Sequence, residues 1–158
     1  MPAFFTVVIV NYNSGGCLAR CLEALEAQRF RDFTVIVVDN GSTDDSLQAL
    51  DKMPPAWQAI RLGRNTGFAA ANNHAFALAT SPWVAALNPD AFAEPDWLEQ
   101  LALGIQRYPE AAAFGSRDIA RSSSPMRRCA MWAAPAVAGA AISPSITECA
   151  IGSGCSSS

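Results

Sequence analysis

Asn11-Tyr12-Asn13, Asp39-Asn40 and Asn88-Pro89-Asp90 each follow a short apolar run, and Asn65 follows a weaker one after a short turn. One such cluster is ordinary turn chemistry, because Asn and Asp side chains bond their own backbone. Four of them at neighbouring strand ends would instead line a polar cleft. The carboxylate of Asp39 suits an imide N–H such as that of uracil or thymine, a donor that an adenine ring does not offer. Asn11 and Asn65 add amide contacts to a base or ribose. Asp90 is a hard oxygen ligand for a divalent ion that bridges diphosphate oxygens. With a single carboxylate at that position, the ion takes its other ligands from water and phosphate, which favours magnesium or manganese over zinc.

The elements that must position these residues alternate along the chain. Phe4 to Val10 is a β-branched run that reads as a strand buried on both faces. Leu18, Cys21, Leu22 and Leu25 then recur at helical spacing, predicting an amphipathic helix from Gly16 to about Gln28. Phe33 to Val38 is a second strand. Ser42 or Thr43 is placed to cap a helix running through Leu50, with Asp44 and Asp45 at its positive end. A weaker third strand, Gln58 to Leu62, follows Pro54-Pro55. An alanine-rich helix is expected from Phe68 to Ala79, a fourth strand from Trp83 to Leu87, and a helix with Pro95 in its first turn and Trp97, Leu98, Leu101 and Ile105 facing inward. Ala111 to Phe114 reads as a short fifth strand. Strand and helix in alternation with short links predict an α/β fold: a mostly parallel sheet with helices on both faces. In such sheets ligands bind outside the carboxyl ends of the strands, where the four polar clusters lie.

Several functional classes are excluded by composition and spacing. The formal net charge is −3, so there is no basic excess to suggest a nucleic-acid partner. The run Phe4 to Val10 is too short to cross a bilayer and lacks the flanks of a secretory signal, which makes the expected compartment cytoplasmic and the expected chain free of transmembrane segments. Gly15-Gly16 is followed by Cys, Leu and Ala, not by the Gly-x-Gly-x-x-Gly of dinucleotide oxidoreductases, and no loop ends in Gly-Lys-Ser/Thr. Ser14, Ser42 and Ser81 have no histidine base, since His74, the one histidine, falls within a helical pattern as a surface or half-buried residue. Cys17 and Cys21 read as small apolar fillers on a helix face. The five cysteines are spaced too irregularly for a disulfide framework or a zinc site.

The blocks Val7-Val8-Ile9-Val10-Asn11-Tyr12-Asn13, Val37-Val38-Asp39-Asn40-Gly41-Ser42-Thr43-Asp44, Asn65-Thr66-Gly67-Phe68-Ala69-Ala70-Ala71-Asn72-Asn73 and Leu87-Asn88-Pro89-Asp90 resemble, in order and spacing, family 2 glycosyltransferases of the GT-A fold. The Asn-Pro-Asp form looks most like the bacterial branch that includes rhamnosyltransferases of cell-surface polysaccharide synthesis. The resemblance implies a nucleotide-sugar donor, a UDP- or dTDP-sugar, and transfer to a polysaccharide or glycan acceptor. By position, Asn11 and Tyr12 would lie along the nucleoside and Asp39 would hold the base. Asn65 and Gly67 would line the ribose and base pocket, with Asn72 or Asn73 near the diphosphate. Asp90 matches the last acid of the family's Asp-x-Asp metal motif, and Asn88 replaces its first.

The implied reaction is an inverting displacement at the anomeric carbon, in which a carboxylate base deprotonates the acceptor hydroxyl while a divalent cation stabilises the leaving diphosphate. No catalytic base is identified in this chain: Glu148 is the one acid after Asp118, and its surroundings match nothing in the family pattern. The resemblance spans about residues 4 to 116. Residues 117 to 158 are mostly Ala, Ser, Pro, Gly and Cys, without sustained periodicity, and the expectation there is a low-complexity tail with no packed domain. That stretch reads like an out-of-frame translation of GC-rich coding sequence, which predicts a frameshift or truncation near residues 116 to 120. The sequence thus supports a donor-binding half that is inactive alone, a transferase whose acceptor site comes from a partner chain, or a non-catalytic nucleotide-binding fragment.

Overall fold

The computed structural model describes residues 1–111 and 113–115, together with the backbone of 132–135. The strands are β1 (Phe5–Asn11), β2 (Phe33–Asp39), β3 (Gln58–Arg61), β4 (Trp83–Leu87), β5 (Phe114–Gly115) and β6 (Trp132–Pro135). The helices are α1 (Cys17–Glu26), α2 (Leu47–Leu50), α3 (Phe68–Leu78) and α4 (Trp97–Arg107). They form one sheet in the order β3-β2-β1-β4-β6-β5. The pairs β2–β3, β1–β2 and β1–β4 are parallel, whereas β6 runs antiparallel to both β4 and β5. The fold is α/β with a mostly parallel sheet, as its alternating pattern requires.

β1 is the central strand, and all of its residues are buried. Because side chains alternate along a strand, it feeds two cores at once. Phe5, Val7 and Ile9 pack with Leu18, Cys21, Leu22 and Leu25 of α1 and with Trp97, Leu98 and Leu101 of α4. Val8 and Val10 pack on the opposite face with Ile36, Val38 and the Ala71 and Ala75 of α3. Alanines let α3 lie close to the sheet. Gln28, fully buried, ties the two helices of the first face: its amide donates to Ala24 O at 3.2 Å and Glu94 O at 2.7 Å, and its carbonyl accepts from Leu98 N at 3.1 Å.

Some elements differ from their sequence-based expectations. The expected helix from Ser42 or Thr43 to Leu50 is reduced to Leu47–Leu50, because Ser42 and Thr43 bond to the loop after β1 and do not cap a helix. Pro95 lies one residue before the N-cap Asp96 of α4, not in its first turn. The fifth strand begins at Phe114, not Ala111. Within 117–158, the backbone of Trp132–Pro135 forms a strand that inserts between β4 and β5. The rest of the expected low-complexity tail lies outside the described residues. Cys17 and Cys21 are both buried in the α1 core face, and His74 is exposed. Among the described residues, no helix is long and apolar enough to cross a membrane.

Candidate functional site

The strand order brings the carboxyl ends of β3, β2, β1 and β4 side by side. Asn11 ends β1 and Asp39 ends β2 at the same register position. Both are buried, Asn11 at 0% exposure and Asp39 at 3%. The Asn11 amide donates to Asp39 Oδ1 at 2.9 Å, and its protons also reach Ser46 Oγ at 2.9 Å and Ser42 Oγ at 3.1 Å. Ser14 Oγ donates to the Asn11 carbonyl. The backbone N–H of Ser42 donates to Asp39 Oδ2 at 3.2 Å. Each oxygen of Asp39 therefore takes one hydrogen bond from the protein, and the carboxylate is held in a single orientation at the centre of the strand ends.

The loop after β1 and the loop after β2 are stitched together around this pair. Asn13 adopts φ 49°, a left-handed conformation that Asn tolerates better than most residues. In that conformation its N–H donates to Ser42 Oγ at 3.0 Å and its side-chain oxygen accepts from Thr43 N at 2.9 Å. Asp44 accepts from Gly15 N at 2.7 Å, from Ser46 N at 3.2 Å and from the Ser46 hydroxyl. Burial pushes the Asp44 carboxyl up, but the hydrogen bonds from Ser46 and Gly15 outweigh it and hold the group below the usual carboxylate range.

A third loop, between β3 and α3, is joined to β2 through Asn40, which is 3% exposed. Asn40 Oδ1 accepts from Thr66 N at 2.8 Å and Thr66 Oγ1 at 3.0 Å, while Asn40 Nδ2 donates to Asn65 Oδ1 at 3.0 Å. Next to it, Gly41 has φ +84°, and a Cβ there would lie 2.6 Å from the Arg64 carbonyl carbon. No residue with a side chain fits that backbone contact.

The remaining expected site residues are distributed as follows. Tyr12 is half exposed beside Asn11, and Asn65 and Gly67 are exposed at the rim. Asn72 is buried and its amide donates to Phe68 O at 2.9 Å, within its own helix, whereas Asn73 is half-buried. Asn88 and Asp90 follow β4 in a turn closed by Ala91 N on Asn88 O at 3.0 Å; Asn88 O also accepts from Cys21 Sγ at 3.7 Å. Asp90 is exposed, and no hydrogen bond or ion pair joins its carboxylate to the described residues. No group of three His, Cys, Asp or Glu side chains converges among the described residues. A cation here would be held by Asp90 with ligands from a bound diphosphate and water, and the exposed oxygen donor fits that arrangement.

Sequence reasoning put Asn40 in the cleft lining without a partner, gave Gly41 and Ser14 no part in the site, and did not name Ser46. For Asn40 the signal was present, since strand alternation turns it away from the side that Asp39 occupies. The partners of Ser14 and Ser46 are fixed by loop geometry that no spacing rule conveys.

The family described as Glycosyl transferase family 2 matches residues 6–131, which carries the match beyond Ser116. Among curated proteins, the chain is 33% identical over 126 residues to the N-acetylglucosaminyl-diphospho-decaprenol L-rhamnosyltransferase of Mycobacterium tuberculosis, covering 73% of this chain and 41% of that protein. Among solved structures, S. aureus TarS residues 1–349 in complex with UDP-GlcNAc superimposes with a TM-score of 0.63 at 27% identity, covering 69% of this chain and 32% of that one. The mannosyltransferase PcManGT of Pyrobaculum calidifontis, in complex with GDP-Man and Mn2+, has a TM-score of 0.67 at 21% identity, covering 85% and 45%, and shares the fold. The chain spans less than half of the length of each of these proteins.

Proposed function

The chain belongs to glycosyl transferase family 2, and from that premise we propose that the cleft at its strand ends holds the nucleotide of a UDP- or dTDP-sugar. The observation that carries the reading is the buried Asp39, oriented by Asn11 and the Ser42 N–H with both oxygens still able to accept a further bond. A carboxylate held this way is an acceptor matched to one imide N–H. The half-exposed ring of Tyr12 would lie along the nucleoside, and Asn65 and Gly67 would border base and ribose. Asn73, which has solvent access that Asn72 lacks, would approach the diphosphate. Asn88 and Asp90 would face it from β4, with Asp90 holding a magnesium or manganese ion. When bound, such an ion neutralises charge on the leaving diphosphate.

On this reading the chain supplies donor binding for sugar transfer to a polysaccharide or glycan acceptor. The similarity to a bacterial L-rhamnosyltransferase favours a nucleotide-activated rhamnose, UDP- or dTDP-linked, as the first donor to try. The reading is tested by calorimetric titration of the folded chain with UDP and dTDP, with and without manganese. Binding that weakens at least tenfold in Asp39→Ala is the expected result. Absence of binding by a sample with a cooperative unfolding transition would sink the proposal.

A further inference from the structure

Two side-chain amides at the cleft rim have their orientations fixed by backbone groups that can only donate. The Thr66 N–H lies 2.8 Å from one side-chain atom of Asn40, which must therefore be the carbonyl oxygen. The Gly67 N–H lies 2.9 Å from one side-chain atom of Asn65, which must likewise be its oxygen. These two constraints are independent, and together they leave the Asn40 NH2 facing the Asn65 oxygen, at 3.0 Å. The Asn65 oxygen thus accepts twice from within the protein. What the exposed Asn65 has left to offer a ligand is its NH2, a pure donor. The backbone of Gly41 against Arg64 and Asn65, closer than any Cβ permits, holds the two loops at the distance this exchange needs.

We propose that Asn40 is a positioning residue that acts through Asn65 to set the hydrogen-bond polarity of the rim: a donor at Asn65, on the loop that Asn40 ties to the strand end carrying the acceptor Asp39. The proposal rests on the donor-site reading above and extends it to base selection. Uracil and thymine present an N–H next to a carbonyl oxygen, the complement of an acceptor beside a donor. Cytosine and adenine present the reverse, a ring nitrogen acceptor next to an amino group. Guanine presents the same N–H beside a carbonyl, so these two groups alone do not separate it from uracil and thymine. The rim is therefore matched to uracil and thymine nucleotides and mismatched to cytosine and adenine nucleotides.

The test uses the full chain with UDP and CDP as calorimetric probes, and amide hydrogen exchange by NMR without ligand. Asn40→Asp keeps the acceptor for Thr66 and removes the donor to Asn65. We expect UDP affinity to fall about tenfold, the preference for UDP over CDP to shrink, and Asn65→Ala to add no further loss in that background. Losses that multiply, or an unchanged affinity in Asn40→Asp, overturn the proposal. Asn65→Asp, at an exposed position that should not disturb folding, replaces the outward donor by an acceptor, and UDP binding should weaken more than CDP binding. Without ligand, the Gly67 amide should be protected in the wild type and lose protection in Asn40→Asp, while Thr66 stays protected. Equal exchange at Gly67 in both proteins overturns the clamp whatever the ligand does. A protected Gly67 in a wild type that binds no UDP overturns the donor-site reading, and the base selection with it.

Discussion

Asn11 at the end of β1 donates to Asp39 at the end of β2 across 2.9 Å, with its side chain wholly shielded from solvent. A buried carboxylate needs partners for its charge, and here one of them is a neutral amide fixed in turn by Ser14. Asn11→Leu keeps the approximate shape but leaves Asp39 and the hydroxyls of Ser14 and Ser46 short of a partner. The expected destabilisation is roughly 2–3 kcal/mol, measured as a shift in the urea midpoint at constant slope. UDP affinity should fall as well, because Asp39 loses the contact that orients it. A variant as stable as the wild type would mean that the amide is not a structural partner of Asp39.

At Gly41 the expected effect is larger. Any side chain there meets both a left-handed backbone and the Arg64 carbonyl carbon at 2.6 Å. Backbone strain of this kind costs about 1–3 kcal/mol, and the steric overlap adds to it. Gly41→Ala should lower the midpoint of thermal unfolding clearly. Gly15→Ala provides the comparison, since that glycine is also left-handed but has no atom within contact of a Cβ. If the two variants are equally destabilised, the loop contact contributes nothing beyond the φ angle.

How far the sequence conveyed this site can be judged from the same residues. The β-branched runs fix which residues are strands, and strand alternation sends Val7 and Ile9 to one core and Val8 and Val10 to the other. The meeting of Asn11 and Asp39, with the loops after β3 and β4 at the same end of the sheet, followed from strand ends in a parallel sheet. The internal hydrogen bonds of the site did not follow. Sequence reasoning gave the Asn11 amide to a ligand, whereas its protons are taken by Asp39, Ser42 and Ser46. It made Ser42 or Thr43 a helix cap, because a Ser-Thr-Asp-Asp string looks locally like one. The tertiary contact with Asn13 won that competition, and the helix formed only from Leu47.

Asp44 gives the loop network a pH dependence. Its carboxyl titrates lower in the folded protein than in the unfolded chain, because the hydrogen bonds from Ser46 and Gly15 outweigh burial. A depressed carboxylate contributes stability that is fully present above its unfolded value, near pH 4, and is lost as pH falls through the lower folded value. Asp44→Asn should therefore destabilise the protein at pH 7, and the gap to the wild type should close as pH falls below the ordinary carboxylate value and through the lower folded one. Denaturation midpoints across that range measure it. A gap that is constant with pH would show that the ionised form is not what Gly15 and Ser46 hold.

Gln28 separates stability from binding. It is fully buried, and its three hydrogen bonds join α1 to the start of α4. Gln28→Leu strands the Leu98 N–H and the Glu94 carbonyl, at an expected cost of about 1–3 kcal/mol. Because Gln28 bonds to none of the strand-end residues, UDP affinity in the folded variant should match the wild type. A drop in affinity at unchanged fold would show that the α4 contact also shapes the cleft.

Asp90 is the opposite case, a residue whose loss should leave stability alone. Its carboxylate is exposed and has no partner among the described residues, so Asp90→Asn should shift the unfolding midpoint by less than about 0.5 kcal/mol. The change should appear in the cation dependence of nucleotide binding. In the wild type, manganese should tighten UDP binding, because an ion between Asp90 and the diphosphate removes repulsion between the two negative groups and adds a bridge. In Asp90→Asn that enhancement should fall by about tenfold, while metal-free affinity should stay equal or rise slightly, since the repulsion is gone. Titration of both proteins with UDP, in EDTA and in manganese, separates the effects. An enhancement that survives the substitution would place the cation elsewhere, and one absent from the wild type would show that this strand end, with Asn88 where the related motif carries an acid, binds diphosphate without a metal.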